Sequence, residues 1–237
     1  MAEAAAEDVK VLGLIMSPFV IRVLIALRLK RVEYELVDVR MEEPRSEILV
    51  KSNPVYKKIP VLLHRGKPIC ESAVIVQYID EEWSAGGGSS SILPADPFDR
   101  ALARFWAVYV DDKLPALIRG LRDETDAAKV TEFAGQFHQV LGQLEEAFAE
   151  CSKGKGFFGG DVVGYLDIAL GSCLGWIRAL EKGKSVKLLE AEEVPRLAGW
   201  AERFLAAESV KGLVRDADEY LKFHASRVAR MSATPAA

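Results

Sequence analysis

Between residues 84 and 97 the chain reads SAGGGSSSILPADP, and the apolar pattern ahead of this stretch differs in kind from the pattern behind it. Glycine and serine loosen the backbone and proline interrupts regular elements, so the stretch predicts a surface linker. Ahead of it, segments that alternate every second residue take turns with segments that repeat about every 3.6 residues; behind it, only the helical repeat remains. Such a chain must fold as two unlike units, residues 1–84 and 98–237, joined by a linker at 85–97.

In the first unit, VKVLGLI (9–15) reads as a buried strand. The segment 17–31 follows as a helix with Ser17 at its N-cap, Pro18 at its first position, and Val20, Val23, Leu24 and Leu27 on one face. YELVDV (34–39) alternates as a second strand, and 43–53 makes a short helix. Residues 60–71 predict a hairpin turned at Arg65-Gly66-Lys67. A helix over 72–83 is capped by Ser72 and carries Val74, Ile75, Tyr78 and Ile79 as its apolar stripe. The order β-α-β-α-β-β-α is that of a thioredoxin-like α/β domain. Past the linker, helices are predicted over 97–124, with a kink at Pro115, and over 127–154, 165–183, 195–209 and 216–230. The second unit is therefore all-α.

Composition excludes several functions. The 237 residues carry a net charge of −4, which gives no electrostatic reason to bind nucleic acid or an anionic membrane. No apolar run is long enough to span a bilayer. The acidic start, MAEAAAEDVK, lacks the apolar core of a secretory signal, and the MSATPAA tail has no prenylation or retention signal. Cys70, Cys151 and Cys173 form no C-x-x-C pair, and His64, His138 and His224 are scattered, so no metal site or dithiol is expected. A reduced cytoplasmic protein is the simplest reading.

A thioredoxin-like domain keeps its redox cysteine where the first strand meets the first helix, and here Ser17 stands in that slot. A cap alone would explain Ser17-Pro18. A serine nucleophile is less plausible, because no G-x-S-x-G elbow and no nearby histidine accompany it. The third option is anion stabilisation. A helix N-terminus contributes about 0.3–1 kcal/mol, and a hydroxyl donating to a charged acceptor about 1.5–3 kcal/mol. Lowering a thiol pKa by two units needs about 2.7 kcal/mol, which the two together can supply. A serine here suits activation of sulfur brought by a substrate.

The chain resembles the glutathione transferases, and within them the plant tau class. The resemblance rests on SPFVIRV (17–23), NPVYKKIPVLLHRGKPICES (53–72), IVQYIDE (75–81), RFWAVYVDDK (104–113), FFGGDVVGYLDIAL (157–170) and ESVKGL (208–213), in that order along nearly the whole chain. It implies that glutathione is the co-substrate and that Ser17 holds its thiolate. It also implies that Ile59, ahead of a cis-proline at Pro60, pairs with the cysteinyl backbone. Glu71 and Ser72 would receive the γ-glutamyl end, and Arg45 and Lys58 the glycine carboxylate. Arg45 departs from the lysine usual at its position while keeping the charge. Met16, ahead of Ser17, is a second departure.

The resemblance further implies an acceptor pocket between the units, lined by Phe19, Tyr109, Arg119, Trp176 and Phe223, with Pro115 replacing an aromatic. Phe105 and Trp106 are expected in the core, and Asp167, three residues after Gly164, as a capping-box variant that supports folding. The expected function is conjugation of glutathione to hydrophobic electrophiles in detoxification and stress response, by a homodimer needing no metal. The alternatives are a glutathione-dependent peroxidase or thiol transferase, a non-catalytic carrier of hydrophobic ligands, and a dimerisation module.

Overall fold

The computed structural model describes residues 8–42, 44–84 and 91–233. The acidic start, the Gly/Ser run of the expected linker and the last residues of the tail lie outside the described residues. The first unit contains β1 (Val9–Gly13), α1 (Pro18–Leu29), β2 (Glu35–Asp38), α2 (Glu47–Ser52), β3 (Val61–His64), β4 (Lys67–Cys70) and α3 (Ser72–Glu82). The helical unit contains α4 (Pro97–Asp123), α5 (Ala127–Cys151), α6 (Tyr165–Gly171), α7 (Leu174–Lys184), α8 (Pro195–Ala206) and α9 (Ala217–Ala233).

The sheet order is β2-β1-β3-β4, with β1 and β2 parallel and the remaining pairs antiparallel. Alternation along the strands divides the apolar residues between two faces. Val9, Val11 and Leu62 face the large core that continues into the helical unit, whereas Leu12 and Val61 pack with Leu49 of α2. The hairpin is tighter than the sequence predicts. Arg65 and Gly66, both with positive φ, form the turn, and Lys67 already belongs to β4.

Every residue of α1 from Val20 to Leu27 is buried, not only the expected face. A helix with apolar residues on every side must be enclosed, and α1 is packed between the sheet, α3 and α6. Its entry requires Gly13, where a Cβ would lie 2.5 Å from Val20 Cγ2. On α3, by contrast, Val74 is exposed and falls outside the buried stripe assigned to it.

The helix expected over 165–183 is two helices, and Arg22 explains the break. The carbonyl of Ala169 accepts from Arg22 Nη2 (3.0 Å) and Ser172 Oγ (3.0 Å). Cys173 N–H, which would continue the α ladder to Ala169, donates to Leu170 O instead (3.0 Å). The helix α4, by contrast, runs through Pro115 as one element.

Asp167 is fully buried, and its carboxylate accepts four N–H groups: those of Phe158 (2.9 Å), Gly159 (2.8 Å) and Gly164 (2.8 Å), and the Trp200 indole (2.7 Å). It makes one arm of a capping box; Gly164 has no side chain to make the other. Burial pushes its pKa up to about 6 against the pull of those donors.

Asp80 of α3 fastens the far end of the linker. It accepts from Ile92 N–H (2.8 Å), Leu93 N–H (3.0 Å) and Ser91 Oγ (3.0 Å), and pairs with the buried Lys30 (2.8 Å). Burial works against its ionisation, but the Ile92 N–H, Lys30 and the Leu93 N–H outweigh it and hold the carboxyl below its ordinary range. A depressed carboxylate pKa contributes stability above the unfolded value of about 4, lost as pH falls through the folded value. Asp80→Asn should therefore cost about 3 kcal/mol at pH 7, leaving Lys30 buried without its anion, and less at pH 3, below the unfolded value. Urea unfolding of both proteins at the two pH values checks this.

Candidate active site

The registers Leu12↔Val61, Val61↔Cys70 and Gly13↔Asp38 set the ends of all four strands on one edge of the sheet. Beyond that edge lie Ser17 after β1, Arg45 after β2, Ile59 and Pro60 before β3, and Glu71 and Ser72 after β4. Positions far apart in sequence are thus collected by topology alone.

Ser17 occupies the N-cap of α1 with extended backbone, yet its side chain makes no capping hydrogen bond. Its backbone is fully engaged. The N–H donates to Leu14 O (2.9 Å), and its carbonyl accepts from Val20 (3.1 Å) and Ile21 (3.0 Å) N–H. The hydroxyl stands at the positive end of α1 without being consumed by it.

The Ile59–Pro60 bond is cis. Asn53 shapes the loop ahead of it, with its amide donating to Lys58 O (3.0 Å) and its carbonyl oxygen accepting from Tyr56 N–H (3.1 Å). The Lys58 ammonium is exposed, 5.7 Å from the Tyr56 ring. Arg45 donates to Met41 O and to Lys57 O, both at 3.2 Å, which ties the segment after β2 to the same loop.

Glu71 takes the N-cap position assigned to Ser72, which is instead the first residue of α3 and is buried. Glu71 has φ 69° and ψ 115°, a region that non-glycine residues rarely enter. Such strain persists only where the surroundings enforce it, and it gathers at functional sites. Cys70 lies in the same corner, its Sγ against Ser52 O (3.7 Å), and burial pushes its thiol pKa up, against a nucleophilic role.

Arg22 is absent from the sequence-derived site. It is 2% exposed, and its guanidinium reaches Asp111 (2.7 Å), Ala169 O (3.0 Å), Ser172 Oγ (3.2 Å) and, at 3.5 Å, Ser72 Oγ. One side chain thus ties α1 to α3, α4 and the α6–α7 break. The available signal was a single charge inside VIRVLIAL, on a helix otherwise too apolar to carry one. Arg22→Met should destabilise by about 2–4 kcal/mol, because Asp111, Ala169 O and Ser172 lose their donor; a denaturant midpoint checks it.

The expected acceptor-pocket residues fall into separate neighbourhoods. Phe19 is half-buried, its ring 5.1 Å from the Arg22 guanidinium. Tyr109 is half-buried against Trp106 (5.5 Å). Arg119 is exposed, about 15 Å further along α4 and one turn before Arg122. Trp176 is 6% exposed, with Arg122 5.4 Å above its ring and Tyr220 and His224 at 5.0 and 6.4 Å. Its indole N–H donates to Met16 O (3.0 Å). Phe223, half-buried, precedes His224 on α9. Phe105 is not in the core: it is exposed and touches Trp106 with its ring edge at 5.1 Å. Among the described residues no cluster of His, Cys, Asp and Glu could hold a metal.

Comparison with known proteins places the fold in a family. Residues 7–81 match the family model for the glutathione S-transferase N-terminal domain, and 127–203 the model for its C-terminal domain. Glutathione S-transferase U15 of Arabidopsis thaliana is 50% identical over 218 residues, 92% of each chain. A crystal structure of a tau class glutathione S-transferase from mango superposes with a TM-score of 0.87 at 46% identity, covering 92% of this chain and 98% of the other. A rice enzyme solved in complex with glutathione gives 0.84 at 31% identity, covering 98% and 100%. The chain belongs to the tau class of the glutathione S-transferase family.

Proposed function

We propose that this protein conjugates glutathione to hydrophobic electrophiles, with Ser17 stabilising the attacking thiolate. The observation that carries the reading is the Ser17 hydroxyl, at the positive end of α1 and unspent on capping, on the same sheet edge as Ile59–Pro60 and Glu71–Ser72. The first unit, through residue 84, would hold glutathione, and the helical unit after residue 97 would hold the acceptor. Ile59 offers its backbone to the cysteinyl residue, the start of α3 with Ser72 and Glu71 receives the γ-glutamyl end, and Arg45 and Lys58 face the glycine carboxylate.

The thiol proton leaves to solvent, and the serine O–H donates to the remaining thiolate. The sulfur attacks an electrophilic carbon, a C–S bond forms, and the leaving group departs with its bonding pair. The half-buried Phe19, Tyr109 and Phe223 would hold planar acceptors such as halonitroarenes, herbicide-like molecules or oxidised lipids, whereas Arg119, exposed further along α4, and Trp176, buried with its N–H committed to Met16 O, would stand outside that contact. Such an enzyme fits detoxification and stress response in the cytoplasm.

Ser17→Ala should lower turnover with glutathione and a chloronitrobenzene about 10- to 100-fold, or roughly 1.4–2.7 kcal/mol of lost thiolate stabilisation. The pH–rate profile should move upward with the thiol pKa. A profile unchanged by the substitution would sink the thiolate role, and glutathione binding with no conjugation across a broad electrophile panel would favour a carrier.

The homodimer has its own support. Arg104 donates to Gln77 Oε1 (3.0 and 2.7 Å), which sets α4 beside α3. Val74, Phe105 and Val108 are each more than half exposed along that seam, and Val55 and Tyr56 are exposed on the loop before β3. Patches of this kind on soluble proteins mark contact with a partner. Phe105→Glu should shift the sedimentation coefficient from dimer toward monomer; a wild-type monomer at micromolar concentration would refute the assignment.

A further inference from the structure

The peptide group joining Met16 to Ser17 is held at both ends. Its N–H, that of Ser17, donates to Leu14 O at 2.9 Å across a tight turn. Its carbonyl, that of Met16, accepts from the Trp176 indole at 3.0 Å, across 160 residues of sequence and from the other structural unit. A peptide is planar, so fixing both polar ends fixes the plane. That plane sets ψ of Met16 and φ of Ser17, observed at −86°, and hence the direction in which the Ser17 Cβ and hydroxyl leave the backbone.

Trp176 is itself immobilised. Gly175 lets α9 approach so closely that a Cβ there would lie 2.2 Å from Tyr220 Cε2, and the fully buried Tyr220 ring packs edge-on against the indole. The Arg122 guanidinium lies 5.4 Å over the ring and is tied to Asp123 by two bonds (2.7 and 2.8 Å). Asp123 also faces His224 (3.7 Å), which approaches the indole from α9. An indole this buried presents little surface to an acceptor, while its one polar atom is committed to the backbone beside Ser17.

The geometry points to Trp176 as a positioning residue for Ser17: through the Met16 carbonyl, the helical unit sets the orientation of the hydroxyl that stabilises the thiolate. This inference rests on the proposed role of Ser17 and adds to it a cause located in the other unit. Trp176 touches neither the sulfur nor the electrophilic carbon in this role. Its effect passes entirely through the direction of one O–H.

The test measures the pKa of the bound glutathione thiol from its ultraviolet thiolate absorbance, with no electrophile present. Trp176→Phe keeps a ring and removes the N–H. It should raise that pKa by about half to one unit, as a lost neutral hydrogen bond would, with little change in glutathione affinity. In turnover with a chloronitrobenzene, kcat/KM at pH 6.5 should fall about three- to tenfold and converge with wild type at high pH, where the thiol ionises unaided. In a Ser17→Ala background Trp176→Phe should add no further shift, because the group it acts through is gone. If Trp176→Phe does not fold, benzothienylalanine at 176, which replaces the indole N–H with sulfur in the same outline, carries the same expectation. An unshifted thiol pKa, a loss equal at every pH, or a shift that adds to that of Ser17→Ala would each overturn the inference. Wild type that binds glutathione without lowering its thiol pKa would overturn the Ser17 reading as well, which separates the two failures.

Discussion

A single buried guanidinium holds the arrangement together. Arg22 sits inside a helix with no solvent face and is reconciled with that position only by its partners: an aspartate on α4, a carbonyl on α6, a serine after α6 and the serine that opens α3. An unpaired cation at this depth would cost several kcal/mol, so the partners are obligatory. Their positions then follow. The helical unit must bring Asp111 and Ala169 to α1, and α6 must end where its carbonyl is taken.

Some of this was legible in the sequence. The strand and helix periods, the turn read at Arg65-Gly66-Lys67 and the Ser17-Pro18 helix start are local signals, and the observed elements agree with them to within a few residues. The breaks and bonds fixed by distant partners were not legible. Nothing within 165–183 announces that Ala169 O will be claimed by a guanidinium 147 positions away. Val74 and Phe105 sit where local apolar patterning places core residues, yet both are exposed. Periodicity reports how apolar residues are spaced around a helix, not which partner covers each one.

The site shows the same division. Ser17, Ile59–Pro60 and Glu71–Ser72 carry their own local chemistry, and the strand registers bring them to one edge. Arg22 and Asp111 carry none that reads as function. The indole of Trp176 was readable as apolar surface, whereas its N–H, aimed at a backbone oxygen in the other unit, has no expression in composition or spacing.

The enclosure of α1 also bears on how such a chain can be divided. Because Val20 through Leu27 are buried on every side, the first unit has no independent surface there. Cut after residue 84, it would leave Arg22 without Asp111, Ala169 O and Ser172 and would uncover the part of α1 that α6 packs against, so it should not fold as an independent module. The linker therefore marks a change of architecture and not a seam. For folding, for cooperativity of unfolding and for exchange of segments between relatives, the unit is the whole chain, and an exchanged half must bring its own match for α1.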